Sequence, residues 1–99
     1  NTYYDPLPGN SDCVRDLGIT DEKSKILHGW LDAMNTVLKQ GADAASFPTA
    51  TPSFAGHGLC APDPFVQPID GNAPLHPTTA GGLAIALADQ AALIEAGVR

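Results

Sequence analysis

Apolar residues recur at three- and four-residue steps through Ile26, Leu27, Trp30, Leu31, Met34, Val37 and Leu38. That spacing makes a broad stripe along one face of a helix and predicts a helix over about 20–40. Thr20 or Asp21 is placed to cap it, and Asp21 and Glu22 put negative charge in its first turn. Lys39 falls in the last turn, and Gly41 suits a C-terminal cap. A second stripe, Leu83, Leu87, Ala91 and Ile94, predicts a helix over about 77–96. Ala84, Ala88 and Ala92 beside it allow close approach to a neighbour, Pro77 suits the first turn, and Gly97 ends it.

The intervening stretches are less periodic. Residues 1–4 are β-prone and stop at the turn cluster Asp5-Pro6-Leu7-Pro8-Gly9-Asn10, so they read as the end of a strand that begins upstream. The loop continues to about Gly18. Residues 43–48 suggest a weak strand closed by Pro48. Residues 49–76 form a long loop punctuated by Pro52, Gly56, Gly58, Pro62, Pro64 and Pro68. Loops of that length are usually functional or stapled. Strand, helix, strand, loop, helix is an α/β order. Two weak strands do not make a stable sheet alone, so the pattern predicts the second half of a doubly wound domain.

Composition narrows the function classes. The chain has 99 residues, 43% of them hydrophobic, and a formal charge of -6. One domain at most is expected. Its five cationic residues are scattered at 15, 23, 25, 39 and 99, with no basic patch to neutralise phosphates. Nucleic acid is therefore not an expected partner, and the acidity reads as a solubility feature. No apolar run approaches the roughly 20 residues of a membrane span. The opening Asn1-Thr2-Tyr3-Tyr4 lacks the layout of a signal peptide.

Cys13 and Cys60 fit one disulfide in an exported protein, worth about 4 kcal/mol in the chain-entropy model. A zinc site would need His57 and Cys60 with Cys13 and another histidine, and it lacks paired close-spaced ligands. No metal or cofactor is expected. His28, at the border of the first stripe, reads as a surface histidine. His57 reads as a hydrogen-bonder to loop backbone, with a place at a pocket rim as the alternative. Phe54, Phe65 and Val66 would either line such a rim or pack the loop onto the core.

The chemistry centres on Ala73-Pro74-Leu75-His76-Pro77-Thr78-Thr79-Ala80-Gly81. A histidine between two prolines, directly before a helix, is held on a stiff loop, where α/β enzymes place catalytic groups. Pro74-Leu75-His76-Pro77-Thr78-Thr79-Ala80-Gly81 resembles the last conserved block of the SGNH (GDSL-type) hydrolases. Phe54-Ala55-Gly56-His57-Gly58-Leu59-Cys60 is similar to a Phe-x-Gly-His-x-x-Cys segment of the secreted actinobacterial members. Tyr4-Asp5-Pro6 and the place of Cys13 match as well.

The resemblance implies the C-terminal half of a three-layer α/β/α, flavodoxin-like sheet domain with a Cys13–Cys60 disulfide and a secreted or cell-envelope location. It also implies a carboxylic-ester hydrolase in which His76 is the general base. The nucleophilic serine would come from an N-terminal fragment of the same domain, acting on a small-molecule or lipid ester. The family's Gly-Asp-Ser and Gly-x-Asn-Asp blocks are absent, and Ser11, Ser24, Ser46 and Ser53 lack a nucleophile turn, so this chain alone is expected to be inactive. Ala73 stands where the family usually has the aspartate that orients the imidazole. Either Asp70 folds back to replace it, or a backbone carbonyl within residues 70–74 accepts the ring N–H and leaves a Ser–His dyad. The alternative to an enzyme is a catalytically silent binding or scaffold subunit derived from the same fold.

Overall fold

A computed structural model describes residues 1–98. It holds three helices, α1 (Asp12–Asp16), α2 (Asp21–Ala44) and α3 (Thr79–Glu95). α1 lies in a stretch expected to be loop. The Ser11 hydroxyl caps it by accepting from Val14 N–H at 3.3 Å, and the turn buries Val14. α2 is capped by Thr20, whose hydroxyl accepts from Lys23 N–H at 3.2 Å.

α2 runs past Gly41, which stays helical, because the chain reverses at Ser46 instead. Ser46 takes φ 59°. Its N–H reaches the Asp43 carbonyl, and Phe47 N–H reaches that of Ala42. Those two bonds are a Schellman cap built on serine rather than glycine. α3 starts at Thr79 under the Thr78 hydroxyl, which accepts from Gly81 N–H at 3.1 Å. It ends in the same motif with Gly97 at φ 80°.

The three-layer α/β/α sheet is not present among the described residues. The expected strand at 43–48 is pre-empted by α2 and its cap. Residues 1–4 form no ladder: their link to the following extended stretch is Thr2 N–H to the Ala50 carbonyl at 2.9 Å. The other backbone groups that a strand would pair go to a side chain. Asn35 of α2 accepts from Tyr3 N–H at 2.7 Å and donates to the Tyr3 carbonyl at 3.0 Å. What pairing exists is one antiparallel bridge, Val66 with Pro77.

The core sits beneath the long loop. Tyr4, Phe54 and Val66 are buried together, with Leu59, Phe65, Leu75, Ala84 and Ile85 packed on them. Tyr4 stacks on Phe54 with ring centroids 4.4 Å apart, and Phe65 meets Phe54 edge-on at 5.3 Å. No pair of helices packs along its length. Both apolar stripes consequently face outward: Trp30 is 71% exposed, Val37 67%, Leu87 55% and Ile94 65%. Uncovered apolar area of this kind marks an interaction surface.

Cys13 and Cys60 form a disulfide, with Cα atoms 6.1 Å apart and 47 residues between them in sequence. It joins α1 to the loop. Closing a loop of that length is worth about 4 kcal/mol, so a Cys13→Ser/Cys60→Ser variant should lose about that much in urea unfolding. Gly81 backs onto Phe65, and a Cβ there would collide with the Phe65 carbonyl. Gly81→Ala should cost about 1–3 kcal/mol in the same measurement, the usual range for overpacking.

Candidate active site around His76

The histidine loop is a strap closed at its base by backbone. Thr78 N–H donates to the Phe65 carbonyl at 2.9 Å, Gln67 N–H to the His76 carbonyl at 2.8 Å, and Leu75 N–H to the Gln67 carbonyl at 3.1 Å. The Gln67 side-chain amide adds a bond to the Pro77 carbonyl at 3.2 Å, and the Thr78 hydroxyl donates to that of Pro64. Pro74 and Pro77 stiffen the strap on either side of the histidine.

His76 is exposed at its tip. Its backbone N–H donates to the Ala73 carbonyl at 3.1 Å. Its ring Nδ1 lies 3.2 Å from the Pro74 carbonyl oxygen. A carbonyl only accepts, so this contact requires the proton on Nδ1 and leaves Nε2 as the basic nitrogen. Of the two substitutes for the missing aspartate, the backbone carbonyl is therefore the one in contact with the ring. Asp70 stands exposed in the turn closed by Gly71 N–H to the Pro68 carbonyl, and it makes no hydrogen bond or ion pair among the described residues.

The other histidines serve the framework. His57 stacks flat on Phe65 with centroids 3.9 Å apart, and its Nδ1 bonds the Asp63 carbonyl at 2.8 Å. His28 is half-buried and its Nε2 meets the Leu7 carbonyl at 2.8 Å and the Asp5 carboxylate at 3.1 Å, tying the first loop to α2. Cys13 and Cys60 are consumed in the disulfide and supply no zinc thiolate. Phe54 and Val66 are fully buried in the core, and the cleft that Phe54 helps to line does not include His76.

None of the four serines hydrogen-bonds His76 among the described residues. Ser11 caps α1, Ser46 forms the α2 cap, Ser53 accepts from Ala55 N–H, and Ser24 is buried in α2. An apolar groove of about 280 Å³ opens beside Leu75, with Tyr3, Trp30 and Met34 on its walls. A larger cleft of about 520 Å³ lies by Tyr3, Asp5 and His28, and His76 is not part of its lining.

Two residues of the site were not expected there from the sequence. Gln67 is one, bracketing the strap from within. Tyr4 is the other: its hydroxyl donates to the Leu75 carbonyl at 2.8 Å, from 71 residues away. Burial pushes the Tyr4 phenol well above its ordinary pKa, reinforced by its hydrogen bond and charge interaction with Tyr3. Comparison with family models, curated proteins and solved structures finds no match for this chain.

A phenol pKa raised by folding contributes stability that is complete below its unfolded value and is lost as pH rises through it. The chain should therefore lose stability above about pH 10, the unfolded phenol value. Tyr4→Phe should flatten that alkaline limb in denaturant unfolding followed against pH. Asp70→Asn should leave the ring ¹⁵N shifts of His76 unchanged, since Asp70 does not touch it.

Proposed function

We propose that this chain supplies the catalytic base of a serine ester hydrolase whose nucleophile lies on a second polypeptide, the N-terminal fragment of the same domain. The observation that carries this reading is the His76 ring: exposed, stiffly held, and fixed through Nδ1 so that Nε2 is available to take a proton. In that role Nε2 accepts the serine proton as the oxygen attacks the ester carbonyl. The proton then passes to the departing alkoxide as the tetrahedral intermediate collapses to an acyl-enzyme. Nε2 next takes a proton from water as the water oxygen attacks the acyl carbon, and returns it to the serine oxygen as the second tetrahedral intermediate collapses to the free acid. The chemistry calls for no metal.

The Pro74 carbonyl does part of what an aspartate does. It holds the productive tautomer, whose loss costs about 10⁴ in a serine triad, but as a neutral group it stabilises the imidazolium less. The exposed stripes of α2 and α3 support the need for a covering polypeptide, and the disulfide supports an oxidising, extracytoplasmic setting. The resemblance of the His76 and His57–Cys60 segments to SGNH hydrolases supplies the substrate class, a carboxylic ester.

Ala73 favours a second reading, a catalytically silent binding or scaffold subunit. The two part on one experiment with the complete assembly of this chain and its partner polypeptide. A fluorophosphonate probe should label a serine of the partner, and His76→Ala should slow labelling by about 10³-fold or more. Labelling at an unchanged rate in that variant removes His76 from the mechanism, and no labelling of the unaltered assembly favours the scaffold.

A further inference from the structure

Leu75 occupies the left-handed region at φ 63°, next to His76. Glycine, asparagine and aspartate visit that region readily, whereas a bulky aliphatic residue there is strained. Such strain persists only where the surroundings over-determine the backbone. Both polar groups of Leu75 are held. Its N–H donates to the Gln67 carbonyl within the strap, while its carbonyl accepts from Tyr4, which belongs to the N-terminal segment. Tyr4 is itself fixed by stacking on Phe54 and by burial at 6% exposure. The Leu75 carbonyl belongs to the peptide unit joining Leu75 to His76, and that unit sets where the imidazole leaves the backbone.

The Nδ1 contact spans two residues, from His76 back to the Pro74 carbonyl. A bond that local depends on the dihedrals of Leu75, the residue between. Relaxing Leu75 to an ordinary backbone conformation would swing the Pro74 carbonyl away from the ring. We propose that Tyr4 is a positioning residue for His76: together with the turn bond from His76 N–H to the Ala73 carbonyl, its hydroxyl holds Leu75 in the left-handed conformation and thereby fixes the Nδ1–H tautomer of the imidazole through the Pro74 carbonyl. The consequence for catalysis rests on the ester-hydrolase reading, but the positioning itself needs neither partner nor substrate.

The test is the imidazole tautomer of His76 in the 99-residue chain, read from ring ¹⁵N shifts at a pH where the ring is neutral. In the unaltered chain the Nδ1–H form should dominate. Tyr4→Phe keeps the ring and its stacking but removes the donor. It should move the tautomer ratio towards Nε2–H by about fivefold, the equivalent of one typical hydrogen bond. Adding Leu75→Gly, which relieves the left-handed strain, should restore much of the ratio in the double variant. A ratio unmoved by Tyr4→Phe overturns the proposal, as does a shift that Leu75→Gly leaves uncorrected.

Should Tyr4→Phe fail to fold, the unaltered chain still decides. Its Tyr4 hydroxyl proton should exchange slowly with water, and Leu75→Gly alone should keep the Nδ1–H form. A rapidly exchanging hydroxyl, or an Nε2–H ring in either chain, overturns it. A failed ester-hydrolase reading would show instead as absent serine labelling with the tautomer results intact.

Discussion

Burial of Tyr4 against Phe54 and Val66 is the constraint from which the rest follows. The chain has no sheet among its described residues to organise it, and no two of its helices pack along their length. What fixes α2, α3 and the long loop relative to each other is this small aromatic cluster, with the Asn35 bonds to Tyr3, the Asn1 bond to Asp89 and the disulfide around it. Phe54 is the centre, stacked by Tyr4 on one side and met edge-on by Phe65 on another. The same cluster carries the histidine strap, because Phe65 and Val66 begin it and Tyr4 reaches its tip. Core and candidate site are thus one structure, and a change to Tyr4 acts on both.

The helices were legible because a 3.6-residue stripe and its capping residues are local information. Thr20 caps α2 as expected, Gly97 ends α3 as a residue free to take positive φ, and the start of α3 falls at Thr79 under a Thr78 cap, past the Pro77 expected in its first turn. The end of α2 was less legible, since Ser46 adopts a conformation for which Gly41 is the better candidate by residue type. α1 was invisible: five residues carry no periodicity, and the turn is held by Ser11, Val14 burial and the disulfide at Cys13. The expected sheet failed for a different reason. β-prone side chains at residues 1–4 do not specify partners for their backbone groups, and here those groups bond Asn35 and Ala50.

The site divides along the same line. Two prolines around His76 announce a stiffly presented imidazole, and the resemblance to SGNH hydrolases makes Ala73 the place where an orienting carboxylate would be looked for. That a carbonyl fills the gap, and that it is Pro74's, depends on Leu75 taking a conformation its side chain disfavours. The group that bonds the Leu75 carbonyl lies at the other end of the chain. No spacing rule connects Tyr4 to Leu75, so only the fold reveals it. The outward-facing Trp30, Val37, Leu87 and Ile94 are the complementary case, residues whose pattern is plain and which stay exposed among the described residues.

We propose His76 as the base for a nucleophile carried by another polypeptide. The most direct measurement of that role is the pH dependence of the acylation burst with a 4-nitrophenyl ester in the complete assembly. An acidic limb from a single ionisation is expected in the unaltered protein, and its disappearance, with a much reduced burst rate, in His76→Ala. A limb and rate that survive that substitution would contradict it.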